Sequence, residues 1–293
     1  VAGKYILFNG SLVTRESWIS SPEEWIRNSG AAIETDLFAS GNRIPLLDQS
    51  MTLLDLRFQS VGWRLPDSLA LDELQPNLEK LLNRNRNFKG CMIRLLVMPA
   101  ASASGFDGNT TFHYLAVTEE LEYDYFPLNT KGLAVGVSLR FRNTGEPFYS
   151  SMVRSRIRAL LIREEYLNNG WDDCLLTDHR GFLSESSSGN LFIRTGERIL
   201  TPAPENNYLP RVITKIVRDL AGDNGLEIEE VKNLKPDNLK RADEVFLTDD
   251  SNGIRWILSY ENKRYYRKVS ALLSEELRKF LQKPDQFHKG SSG

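Results

Sequence analysis

Gly181-Phe182-Leu183-Ser184-Glu185-Ser186-Ser187-Ser188-Gly189-Asn190-Leu191-Phe192, closed further on by Thr201-Pro202, is the stretch on which the reading of this chain turns. It runs from a turn through one carboxylate and a set of small residues into an apolar strand start. A carboxylate among small residues lets a flat ligand approach closely, because nothing bulky stands in the way. Composition alone favours a hydrophilic loop between two strands. The order of the residues is what adds information.

The remainder of the chain sets the frame. Its 293 residues suffice for one large or two medium domains with a sizeable core. Hydrophobic content of 41% beside 26% charged residues is that of a soluble globular protein. A formal net charge of -2 offers no electrostatic basis for a nucleic-acid or membrane partner. No apolar run approaches the roughly 20 residues of a membrane span. The start of the chain, Val1 to Phe8, is punctuated by Asn9-Gly10 too soon for a signal peptide. Cys91 and Cys174 sit in apolar stretches without metal-like spacing, and His113, His179 and His288 form no cluster, so both thiols read as reduced core residues and zinc is not expected. These features together predict a cytoplasmic protein.

Working outward from Glu185, apolar spacing predicts helices over 45–63, 68–84, 150–167, 209–224 and 270–282. Strands are expected at Lys4 to Leu12 (a hairpin about Asn9-Gly10), 30–35, 90–99, 111–118, 133–141, 174–177, 226–231 and 244–248, with a hairpin at 260–266. The segment 100–109 reads as a loose hairpin tip and 283–293 as a disordered tail. An aperiodic stretch, 119–131, separates the halves. This gives a small N-terminal α/β domain over 1–125 and a larger C-terminal domain over 126–282.

The order Gly181, Glu185, small residues, Asn190-Leu191-Phe192 and Thr201-Pro202 resembles the signature of the class IV aminotransferases, pyridoxal-phosphate (PLP) enzymes that include branched-chain and D-amino-acid aminotransferases and aminodeoxychorismate lyase. Supporting segments are Arg163-Glu164-Glu165, Gly170-Trp171-Asp172-Asp173 and Ala242-Asp243-Glu244-Val245-Phe246-Leu247-Thr248. The resemblance implies an α/β, two-domain (α+β) chain of the D-amino-acid aminotransferase-like PLP fold type IV. It also implies a homodimer.

PLP carries its own electronic chemistry and asks three things of a protein: a Schiff-base lysine, a carboxylate at the pyridine nitrogen, and a phosphate cup. By the resemblance, Glu185 is the carboxylate. The lysine is missing. The register set by Arg163-Glu164-Glu165-Tyr166 places Met152 at its position, and a thioether forms no imine. No lysine occurs between Gly132 and Thr214; Lys131 and Lys215 flank the gap, and Arg154, Arg156 and Arg158 stay protonated. The cup is altered as well. Arg211, Val212 and Ile213 stand where the family has Gly-Ile-Thr, and Ser50 and Leu53 fall where it has a His and an Arg, with Arg57 one turn beyond. Asp249 and Asp250 replace small neutral residues after Thr248, and two carboxylates would repel a phosphate.

Three functions are consistent with this pattern. One is a lyase- or aminotransferase-like protein that has lost PLP catalysis, lines its cleft with Glu185, Ser186, Ser187, Met152, Arg156, Arg211, Val212, Ile213 and Asp250, and binds a small anionic ligand through its arginines. Another is an active PLP lyase or aminotransferase that uses Lys131 or Lys215 in an unusual site. The third, an unrelated enzyme, lacks a nucleophile, because Ser186 to Ser188 have no histidine near them in sequence.

Overall fold

A computed structural model describes residues 2–17, 32–100, 111–144, 156–206 and 208–283 of the chain. The readings of 100–109 as a hairpin tip, of the start of the 150–167 helix and of the 283–293 tail fall largely outside them.

The first half is an antiparallel sheet in the order β2-β1-β5-β4-β3, made of β1 (Tyr5–Phe8), β2 (Ser11–Thr14), β3 (Ile33–Ser40), β4 (Gly90–Pro99) and β5 (Phe112–Glu120). Asn9 and Gly10 both have positive φ, at 44° and 81°, as a two-residue hairpin turn matching strand twist requires. Helices α1 (Leu47–Ser60) and α2 (Leu71–Asn85) cover one face of this sheet. Leu54, Phe58, Leu74, Leu78, Leu81 and Leu82 recur at helical spacing and meet Leu37, Ile93 and Leu95 from the strands.

The second half is a nine-stranded mixed sheet. Its order is β11 (Ile228–Val231), β10 (Arg198–Pro202), β9 (Asn190–Thr195), β12 (Glu244–Asp249), β13 (Gly253–Tyr260), β6 (Leu133–Asn143), β7 (Asp173–Asp178) and β8 (Leu183–Ser186), with β14 (Lys263–Arg264) pairing to β13. The helices are α3 (Arg156–Asn168), α4 (Val212–Asp223), α5 (Pro236–Arg241) and α6 (Lys268–Gln282). Every residue of β7, β8 and β12 is buried, including the carboxylates Asp173, Asp178, Glu185, Glu244 and Asp249, so these strands show no apolar–polar alternation.

Two expectations need correction. Residues 253–260 form the full strand β13, where only the hairpin at 260–266 was expected; Arg255 interrupts the apolar run, and its charge is met inside the protein. The helix expected over 209–224 begins at Val212, because Pro210 keeps the chain ahead of it extended, with Arg211 as N-cap at φ -131°, ψ 148°.

Helix α4 forms the seam between the halves. Val212, Ile213, Ile216, Val217, Leu220 and Ala221 line its buried face. They share one cluster with Phe38, Leu46 and Met92 of the first half and with Phe192, Phe246 and Leu273 of the second. Phe192 and Phe246 stack at 5.0 Å with planes 5° apart, fixing β9 against β12.

Candidate functional site

The stretch around Glu185 lies at the end of β8, facing the start of α4 and the β12–β13 turn. Glu185 is only 5% exposed. Its Oε1 accepts a hydrogen bond from Asn143 Nδ2 at 3.0 Å, and its Oε2 accepts one from the Leu209 backbone N–H at 3.2 Å. Asn143 is held in turn by Arg158, whose Nη2 donates to Asn143 Oδ1 at 2.9 Å. Arg211 Nη2 stands 4.0 Å from Glu185 Oε2, and the Arg211 side chain is 9% exposed. Its Nε and Nη2 are buried without an acceptor. A guanidinium is costly to bury with donors unmet, so these two nitrogens mark the polar centre of the site.

The serine loop does something other than line an open cleft. The Ser186 and Ser187 hydroxyls donate to Asp173, at 3.2 Å to Oδ2 and 2.5 Å to Oδ1, and Ser188 also donates to Asp173. Arg255 closes the set, with Nη2 3.1 Å from Asp249 Oδ2 and 3.6 Å from Asp173 Oδ2. A Cβ on Gly189 would stand 2.7 Å from the Thr248 carbonyl oxygen. The small residues therefore let the loop pack on β12 and fold its hydroxyls around a buried carboxylate, a use that local sequence cannot distinguish from ligand access.

At the other end of the site the two neighbouring aspartates part company. Asp249 turns inward: its Oδ1 accepts the Ser251 and Asn252 N–H groups at 2.9 and 2.8 Å, while its Oδ2 faces Arg255. Asp250 turns to α4, and its Oδ1 accepts the Ile213 N–H at 2.9 Å. Asp250 is half-buried as a residue, yet its carboxyl lies deep enough that desolvation pushes its pKa up. Arg211, the Ile213 N–H and Arg57 pull in the opposite direction.

Arg57 is the residue that the simple count missed. Ser50 does stand at the counted position and is buried, but Arg57, one turn on and 4% exposed, reaches the start of α4. Its Nη2 donates to the Pro210 carbonyl and its Nη1 to the Glu34 carbonyl, each at 3.3 Å. The signal was an arginine on the apolar face of a helix, where a charge needs a buried partner.

Of the remaining sequence-derived residues, the Val212 and Ile213 side chains enter the core, and only the Ile213 N–H serves the site. Met152, Arg154 and the Arg156 side chain lie outside the described residues. No lysine among the described residues is buried, and Lys131 and Lys215 are both exposed. Among the described residues no group of three or more His, Cys, Asp or Glu is placed to hold a metal, and no helix is long and apolar enough to cross a membrane. Cys91 and Cys174 are free and buried, and burial pushes both thiols up to about 12.

The geometry of β8, β9, α4 and β12 about one carboxylate agrees with comparison to known proteins. The amino-transferase class IV family model matches residues 47–260. The chain belongs to the class IV aminotransferases. Among relatives by sequence, it is 23% identical over 289 residues to a probable branched-chain-amino-acid aminotransferase of Rickettsia conorii, covering 94% of this chain and 96% of that one. It is 29% identical over 185 residues to the mitochondrial branched-chain amino acid aminotransferase 1 of Humulus lupulus, covering 61% of this chain. That match spans 47% of the Humulus protein, and one to an Aquifex aeolicus relative spans 49%, so the chain aligns with about half the length of each. The Escherichia coli branched-chain aminotransferase superposes with a TM-score of 0.85 at 19% identity, over 97% of both chains. One from Thermobaculum terrenum, solved in its PLP form, gives 0.82 at 19% identity over 96% of this chain and 94% of that one. The class IV family is PLP-dependent, and the fold of this chain is the PLP fold type IV.

Proposed function

We propose that this class IV aminotransferase-fold protein does not run PLP chemistry and instead holds a small anionic ligand. The observation that carries the reading is the state of the groups PLP would need. Glu185 is engaged by Asn143 and Leu209, with a buried guanidinium 4.0 Å away. The Ile213 N–H, in the first turn of α4, is engaged by Asp250. Every lysine among the described residues is at least partly exposed, and the sequence register puts Met152 at the Schiff-base position. In this reading the residues present do not fit the cofactor.

An anionic ligand is favoured by the cationic side of α4. A cavity of about 310 Å³ is lined there by Tyr208, Arg211, Thr214, Lys215, Arg218 and Asp219. Arg218 is paired with Glu230, which leaves Lys215 to meet a ligand charge. Self-association belongs to the same reading, as a homodimer. Leu139, Ile157, Leu160 and Leu167, at 89%, 68%, 64% and 56% exposure, leave apolar surface on β6 and α3 of the kind that association covers.

The test is a half-reaction. Purified protein is incubated with PLP and a branched-chain amino acid, the substrate class named for its relatives, and the keto acid is assayed. No keto acid above the level given by free PLP is expected. Enzyme-dependent production would refute the reading.

A further inference from the structure

We infer that the first turn of α4 is an oxyanion cradle ligated from within, in which the Asp250 carboxyl group takes the place of an incoming phosphate and keeps phosphate out. The inference rests on the reading that PLP is not used and gives it a physical cause.

Helix α4 has twelve residues, and its first N–H groups need acceptors from outside the helix. The N-cap residue, Arg211, makes no side-chain cap. The acceptor comes instead from the β12–β13 turn: Asp250 Oδ1, 2.9 Å from the Ile213 nitrogen. Two guanidiniums surround this contact. Arg57 is anchored on the Pro210 carbonyl just before the helix, and Arg211 has Nε and Nη2 buried with no acceptor in a side chain 9% exposed. Both act on the Asp250 carboxyl through their charge.

A helix N-terminus with two arginines is a donor set for a tetrahedral oxyanion, and an arginine fork satisfies such an anion better than one carboxyl oxygen does. Asp250 meets the Ile213 N–H but leaves two Arg211 nitrogens unmet, so the internal ligand fills the cradle without saturating it. Asp249, the next carboxylate along, is turned inward to Arg255, so the repulsion that a phosphate meets here comes from Asp250. Removing the Asp250 carboxyl frees the N–H, removes the repulsion and leaves both arginines in place.

The experiment is calorimetric titration of inorganic phosphate into the full chain as wild type, Asp250→Thr, and Asp250→Thr with Arg211→Met. Wild type is expected to show no saturable binding at millimolar phosphate. Asp250→Thr is expected to bind at least about tenfold more tightly, the equivalent of one charge-assisted hydrogen bond gained, and Arg211→Met to cancel the gain. A natively folded Asp250→Thr that gains nothing would overturn the inference, as would wild type binding phosphate equally well. If Asp250→Thr does not fold, Asp250→Asn decides: it keeps the acceptor oxygen and loses the charge, so a smaller gain supports the cradle and none overturns it. Failure here leaves the absence of PLP chemistry standing, because that reading is tested separately by the keto acid assay on wild type.

Discussion

Replacing Glu244 by Gln tests what the Ala242-to-Thr248 segment is for. Glu244 is completely buried on β12 and caps α6. Its Oε2 accepts the N–H groups of Lys268 and Val269 at 3.0 and 2.8 Å, and its Oε1 accepts the backbone N–H and the Oγ–H of Ser270 at 2.7 and 2.6 Å. A glutamine of the same shape keeps one oxygen, so the Ser270 contacts survive while two backbone donors face an NH₂ group. Each buried unmet donor costs about 1–3 kcal/mol. The lost charge at a helix N-terminus adds up to about 2 kcal/mol in a buried setting. The expected loss is therefore about 2–8 kcal/mol. It would be read as a lower urea midpoint at unchanged slope. Ser270→Ala, which removes one hydroxyl contact and leaves the carboxylate satisfied, is expected to cost about 1 kcal/mol. A Glu244→Gln loss below about 1 kcal/mol, or one equal to that of Ser270→Ala, would refute the assignment of this carboxylate as the α6 cap.

Three further outcomes follow from the site. Gly189→Ala places a Cβ 2.7 Å from the Thr248 carbonyl oxygen, and the overpacking is expected to cost about 1–3 kcal/mol in thermal or urea unfolding; a neutral result would mean that the loop is not pinned on β12. Arg255→Met leaves Asp173 and Asp249 buried without their shared cation, an expected loss of about 3–5 kcal/mol. Amide exchange should then rise over residues 186–189, and unchanged protection there would contradict the serine cage. For Asp250 the sign follows from burial raising its pKa above the ordinary 3.8. The stability this group contributes is fully present below that value and is lost as pH rises through the raised pKa. The stability of Asp250→Asn relative to wild type should therefore climb across that window and then level off, and urea midpoints from about pH 4 to pH 8 that stay parallel would exclude the linkage.

The fold was legible because its elements are locally consistent. Asn9-Gly10 specifies the first hairpin, the leucine spacing from 71 to 82 specifies α2, and the Glu185 stretch identifies the sheet that carries it. Strand β13 was not, because Arg255 breaks its apolar run, and a charge inside a strand is readable only once Asp173 and Asp249 are known to meet it. Within the site, Glu185 and the altered α4 start were visible as residue types at fixed positions. Arg57 and Asp250 were visible too, one turn beyond the counted position and after Thr248, but their contacts were not, and Asn143 was not singled out at all. Asn143, Arg57 and Asp250 reach the site from 42, 153 and 37 positions away along the chain, measured to Glu185, Pro210 and Ile213, and spacing alone does not encode contacts of that range. The serines misled for a related reason: small residues permit close approach, and what approaches, ligand or backbone, is decided by the tertiary structure.

The most direct measurement on the central claim is the intact mass of the wild-type protein after saturation with PLP, borohydride reduction and denaturing desalting, with excess free lysine present to suppress surface labelling. The account predicts the unmodified mass, because no described lysine is buried and Met152 stands at the Schiff-base position. One pyridoxyl group per chain, mapped to a single lysine, would contradict it and return the protein to the working PLP enzymes.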